Sequence, residues 1–302
     1  MKEMVAVNEI SVGDKKPEFL VDGKKGFLSR FQENSFLKAI TALVIFEILF
    51  QLLKKFLPLV GIDFGLNNSG AFVRELVLKV IPVILISVIF KTSDVLKYTK
   101  NFGKSLFSGL SVIIYTVFAS FILFVVAISE GSPLKSVPKI IFFALFVFFV
   151  GLSEELLCSG IMTETMLRKH GNSKKGIWFS ILTSSVGFGL LHLTNILMGQ
   201  SVLDTVIQVI TATFVGIFFN AIYVRHRNVY AIALIHGMID FVAMWNQGVF
   251  QGNSVLKVYE ETTVATSVSE AIIMILVNSV FLIPAFIILR KKKLNEVIEK
   301  QN

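Results

Sequence analysis

The chain has 302 residues, of which 54% are hydrophobic, and carries a formal net charge of +8. Its mean hydropathy is +0.74, and its apolar residues fall in long runs such as 112–128 and 140–152. That arrangement excludes a soluble fold, because a charge-free run approaching ~20 residues is what crosses the hydrocarbon core as a helix. The basic balance does not indicate nucleic acid as a partner. The Lys and Arg residues sit in short loops beside apolar runs, where they set membrane orientation.

Residues 1–35 form a polar tail with Lys2, Lys15, Lys16, Lys24, Lys25 and Arg30. No apolar core of a signal peptide follows the first residues, so no cleaved signal is expected, and the composition predicts partial disorder. Eight spans follow, over 36–53, 72–91, 105–128, 138–166, 176–198, 202–223, 228–247 and 267–290. The second carries Arg74, Glu75 and Lys79 in its first half, where Glu75 and Lys79, four apart, read as an ordinary helix pair. The fourth is long enough to tilt or to project into the cytosol. The fold class is therefore all-α, a polytopic membrane helix bundle of about eight transmembrane helices, with residues 36–290 as one domain and 291–302 as a basic tail. Lipid surrounds it.

Basic residues alternate along the chain. Lys91, Lys97, Lys100 and Lys104, then Arg168, Lys169, Lys174 and Lys175, then Arg225 and Arg227, then Arg290 and Lys291 to Lys293 fall on one side. The intervening loops hold Lys54 and Lys55, Lys135 and Lys139, none in 199–201, and Lys257. This pattern places both termini in the cytoplasm. His170 and His226 lie among basic loop residues and read as solvated. The single cysteine, Cys158, precludes an intramolecular disulfide and reads as a packed small hydrophobe. Low cysteine content and the absent signal suit a bacterial plasma membrane.

Ionisable residues within spans are costly and mark function. Glu154 and Glu155 lie in the fourth span, within an apolar run that Leu156, Leu157 and Ile161 continue, and His192 lies in the fifth. His236 and Asp240 lie in the seventh and share a helix face at a spacing of four. Phe188 and His192 share a face by the same rule. If these spans pack together, the cluster supports activation of water for hydrolysis of an amide bond. Two histidines with carboxylates also match a zinc-type ligand set, so either a divalent metal or a metal-free mechanism is open.

At these residues the sequence resembles the CPBP family of intramembrane proteases. That family includes the type II CAAX prenyl endopeptidases and bacteriocin-immunity and abortive-infection-like proteins. Its pattern is Glu-Glu-x-x-x-Arg, then Phe-x-x-x-His, then His-x-x-x-Asn or Asp. Glu154-Glu155, Phe188 to His192 and His236 to Asp240 match in order, spacing and placement, over about 130–240. The resemblance implies that Glu154 activates water with His192, that His236 and Asp240 bind or position the oxyanion, and that Glu155 supports them. Any metal would be held by Glu154, His192, His236 and Asp240. The substrate would be a peptide or membrane protein, reached through a cavity open to the cytosol. Ser159 stands where the pattern has arginine and carries no charge, so a prenylated substrate does not follow. Two other readings stay open: a catalytically silent scaffold or bacteriocin self-immunity protein of the same fold, and a small transporter using the same buried charges.

Overall fold

The computed structural model describes residues 33–65, 67–251 and 268–299. The polar tail through residue 32, Lys257 and the last three residues lie outside the described residues. Among the described residues the chain is helical and forms no strand beyond one isolated bridge between Leu134 and Phe250.

Helix α1 (Ser35–Leu59) starts where the Asn34 side chain accepts the Leu37 N–H at 3.1 Å. This satisfies one of the donors every helix start leaves open. Asn67 does the same for Gly70 at the head of α2, which runs as Asn68–Glu75, a π segment Leu76–Val80 and Ile81–Ile89. Pro82 sits just after the π segment and cannot donate to the preceding turn, which accounts for the shift in hydrogen-bond register. The third predicted span is broken at Gly109 into α3 (Phe102–Ser108) and α4 (Leu110–Ser129). A Cβ at Gly109 would lie 2.4 Å from Ile235 Cδ1, so the chain passes close against its neighbour there.

Helix α5 comprises Val137–Glu155, a π segment Leu156–Thr163 and Glu164–His170. The whole run of 34 residues is ~50 Å long at 1.5 Å per residue, more than the hydrocarbon thickness of ~30 Å. Its π segment is held from outside, because Ser184 Oγ donates to the Cys158 carbonyl at 2.6 Å. Next come α6 (Lys174–Leu191), which tightens into a 3-10 stretch over His192–Met198, and α7 (Val202–His226). Then follow α8 (Val229–Ala243) and the short α9 (Trp245–Val249). Helix α10 runs from Val268–Asn278 through Ser279–Phe281 into Leu282–Ile288, and α11 is Lys291–Glu299.

Six of these helices are long and apolar enough to cross a membrane, and α8 is a shorter apolar helix. Helix α2, with its charges, fills the place of the second predicted span. Among the described residues each expected segment is built of helix, and the chain is an all-α polytopic bundle.

Helix α5 is its axis. Of its apolar window 56% is buried, against 17% for α4 and 11% for α10. The outer helices turn Phe118, Phe121, Leu276 and Val277 outward as lipid-facing surface. Small residues let helices approach closely where lipid supplies no hydrophobic drive. A Cβ on Gly151 of α5 would meet the Ala233 carbonyl at 2.7 Å, and one on Gly237 of α8 would meet Phe148 Cα at 3.0 Å.

The loops expected on one side do gather at one end. Arg168 reaches Asp94 at 2.6 and 2.7 Å and the Lys91 carbonyl at 2.9 Å. Burial would raise the Asp94 carboxyl, but the hydrogen bonds from Arg168 and Tyr98 outweigh it and hold it below its ordinary value. Asn228 donates to the Lys100 carbonyl at 3.0 Å, and Arg225 pairs with Glu296 of α11 at 2.6 Å. His170 and His226 are not merely solvated. They are half-buried and bonded to Ser35 at 3.0 Å and Ser108 at 2.7 Å, because these loops pack on one another.

Candidate functional site

Three elements bring the carboxylates and histidines together. Helix α5 presents Glu154 and Glu155 just before its π segment. Helix α8 packs along α5 through the glycine contacts and presents His236 and Asp240 one turn apart. Helix α6 ends at Leu191, so His192 sits where the helix tightens.

His236 is the hub. Its Nδ1 lies 3.1 Å from Glu155 Oε1, and its Nε2 lies 3.7 Å from both Glu154 Oε2 and Asp240 Oδ2. A carboxylate only accepts, so Nδ1 carries a proton and Nε2 faces the other two carboxylates. Its ring stacks on Phe219, centroids 5.0 Å apart, and meets the edge of Phe188 at 5.6 Å. His192 packs against the same Phe188 at 5.4 Å, and its Nδ1 donates to the Phe188 carbonyl at 3.1 Å. That bond fixes the ring and leaves Nε2 as its open nitrogen. The motif phenylalanine therefore serves as a wedge between the two histidines.

Further residues complete the cluster, and sequence reasoning had not placed them there. Lys79 of α2 lies 3.4 Å from both Glu75 and Glu154, so the pair read as an ordinary helix contact is part of the site. Ser153 Oγ lies 3.0 Å from Glu75 Oε1. The signal was present, since three charges in an otherwise apolar span are expensive unless paired inward. Ser159 Oγ lies 2.8 Å from Glu155 Oε2 and 3.2 Å from Asn220 Oδ1, and Thr163 donates to that same amide oxygen at 2.6 Å. The position of the motif arginine thus still holds Glu155, through a hydroxyl. Arg168 plays no part here; it pairs with Asp94 and Glu164 at the basic end. Cys158 is buried among apolar neighbours.

Glu154, His192, His236 and Asp240 line a cavity of ≈ 410 Å³, together with Arg74, Glu75, Lys79, Asn195, Gln208 and apolar groups such as Phe46 and Phe50. Asp240 Oδ2 is buried and has no hydrogen-bond partner among the described residues. The cavity wall reaches Gln200 and Met244, which close α6 and α8 at the end opposite the basic loops. His192 and Asp240 come late in helices that begin at the basic end, and that is why the cluster belongs to the other half.

Among the described residues no group of three or more His, Cys, Asp or Glu side chains is arranged to hold a metal ion. Glu155 and the Phe188 carbonyl each occupy Nδ1 of one histidine, which leaves both Nε2 atoms available.

Fold and site together define the class: a multi-pass α-helical membrane protein with a carboxylate–histidine cluster buried in its bundle. Residues 135–242 match the family model described as Type II CAAX prenyl endopeptidase Rce1-like. That segment contains Glu154, Glu155, His192, His236 and Asp240, and over it the chain is similar to the CPBP family. No curated protein and no solved structure matches it.

Proposed function

We propose that this protein is an intramembrane endopeptidase that hydrolyses a peptide bond of a membrane-associated or peptide substrate with water activated by Glu154 and His192. The observation that carries this reading is the convergence of Glu154, His236 and Asp240 on one cavity, with a buried Asp240 oxygen that nothing in the described chain satisfies. Separations of 3.7 Å are too long for direct hydrogen bonds and suit an intervening oxygen.

Glu154 takes the proton of the attacking water and returns it to the amine as the C–N bond breaks, and His192, anchored through Nδ1, offers Nε2 to the same water. His236, held by Glu155 and in its doubly protonated form, donates its Nε2–H to the developing oxyanion, and Asp240 orients that ring and the water. Lys79 offsets the charge of Glu154 and Glu75 in a medium where an unpaired ion is costly. The chain sits in a plasma membrane, bacterial by its composition, with both termini cytoplasmic.

A second reading is favoured by Ser159: a catalytically silent scaffold or self-immunity protein that binds a partner in the same cavity. The experiment that separates them compares cells carrying a deletion, the wild type and Glu154→Ala at matched membrane levels, with peptide termini mapped by mass spectrometry. Termini that appear with wild type alone support proteolysis. Identical termini and phenotype for Glu154→Ala and wild type refute it in favour of the scaffold.

A further inference from the structure

The geometry points to a site served from the extracytoplasmic face, taking a peptide segment exposed on that side of the membrane. Two independent observations meet in this inference. The first is the direction of the cavity. From His236 and Glu154 within the bundle its lining runs to Arg74, Gln200 and Met244. Gln200 lies in the turn between α6 and α7, and Met244 caps the end of α8. Helices α6 and α8 begin at the basic end, next to Lys174 and Asn228 respectively. Helix α7 covers 25 residues between Ser201 and Arg227, ~37 Å of rise, so the rim and the basic loops are a membrane thickness apart. Arg74 lies in the first part of α2, whose far end reaches Lys91 and its contact with Arg168.

The second observation is charge. The segments packed together at the basic end hold Lys91, Lys97, Lys100 and Lys104, Arg168 and Lys169, Lys174 and Lys175, Arg225 and Arg227, and Arg290 with Lys291 to Lys293. The segments at the rim end hold fewer, Lys54, Lys55, Lys135 and Lys139, and the turns at 199–201 and 244–251 hold none. Short loops rich in Lys and Arg stay in the cytoplasm. The rim is therefore on the other side, and a substrate arrives there without crossing the membrane. The identity of that substrate as a peptide to be cut rests on the proteolytic reading; the side of access does not.

The test uses the full-length chain in intact cells and a membrane-impermeant maleimide. Cys158 is the only native cysteine and is buried, so the unsubstituted protein is the blank. Gln200→Cys probes the rim, Glu130→Cys probes the α4–α5 turn at the same end, and Asn172→Cys probes the basic end. Each variant is first shown to reach the membrane and to react in detergent. The expected result is modification of Gln200→Cys and Glu130→Cys in intact cells, with Asn172→Cys modified only after permeabilisation. Modification of Asn172→Cys in intact cells, or of Gln200→Cys only after permeabilisation, overturns the inference. In the termini comparison the cleaved bonds should map to extracytoplasmic segments, and cytoplasmic cleavage sites also overturn it. If no termini depend on Glu154 while the labelling pattern holds, the proteolytic reading fails and the side of access stands.

Discussion

Ser159→Ala is the most direct test of how the departure from the family pattern works. Ser159 is fully buried, and its hydroxyl has one proton to place between Glu155 Oε2 at 2.8 Å and Asn220 Oδ1 at 3.2 Å. The shorter contact goes to the carboxylate, and charge-assisted bonds are the stronger ones. Alanine removes that donor while Glu155 Oε1 keeps its 3.1 Å contact with His236 Nδ1, so the carboxylate is left free to pivot. A hydrogen bond to a charged group contributes about 1.5–3 kcal/mol. If about 2 kcal/mol of that acts in the transition state, cleavage slows ~30-fold, at 1.36 kcal/mol per decade. The assay is turnover of a peptide chosen from the mapped cleavage sites, by purified protein in lipid nanodiscs, across a range of pH. Ser159→Thr keeps the hydroxyl and should recover most of the rate. A structural role alone would lower the unfolding temperature and leave the pH profile of kcat/KM in place. A wild-type rate and profile for Ser159→Ala would refute the reasoning.

The close contact of α5 and α8 makes Gly151→Ala costly, since the added carbon meets the Ala233 carbonyl at 2.7 Å and His236 Cβ at 3.1 Å. Overpacking of this kind costs about 1–3 kcal/mol, so the unfolding midpoint in detergent should fall along with cleavage, while Gly103→Ala, with open space around it, should leave both unchanged. The C-terminal helix α11 should undock in acid. Hydrogen bonds from Arg225 and then Lys293 hold the Glu296 carboxyl down at about 2, below its ordinary 4.5. A carboxyl depressed in the folded state contributes its stabilisation above the unfolded value and loses it as pH falls through the folded one, so release belongs between pH 4.5 and about 2. Because the pair is only half-buried, salt should weaken it. Protease cleavage ahead of Lys291, followed against pH and salt, reads this out, and pH-independent protection would count against it.

The bundle was legible because apolar length and loop charge are properties of the chain itself. The breaks within it were less so. Gly109 divides the third span because Ile235 crosses there, a contact between residues far apart in sequence. The switch at His192 from helix to 3-10 also depends on packing, since Phe188 wedges between two histidines from different helices. The five candidate residues stood out as charges within spans and through the resemblance to a family pattern, and packing brings Glu154, Glu155 and Asp240 around His236. Lys79 was visible as a charge within a span, but its second partner, Glu154, lies 75 positions away, and no local pattern encodes that. Asn220 gave still less warning, because a single amide in an apolar run reads equally as a packing contact until Ser159 and Thr163 are seen around it. The direction of the cavity needed both sources, loop charge for the sides and the lining for the rim.

Asp240 separates stability from function most clearly. Each neighbouring carboxylate has a partner: Glu75 has Lys79 and Ser153, Glu154 has Lys79, and Glu155 has Ser159 and His236. Asp240 Oδ2 is buried without a hydrogen bond among the described residues, and its nearest cation, His236 Nε2, stands 3.7 Å away. An unsatisfied buried acceptor costs about 1–3 kcal/mol, more for a charged group. Replacement by an apolar side chain of similar size removes that cost, and buried ionic groups so replaced are often neutral or stabilising. Asp240→Leu should therefore hold or raise the unfolding midpoint in detergent while removing cleavage, because His236 and the water lose the group that orients them. Strain kept at a working site behaves in this way. A fall in the midpoint would mean that Asp240 is satisfied within the bundle and serves the fold, and its place in the proposed mechanism would have to be given up.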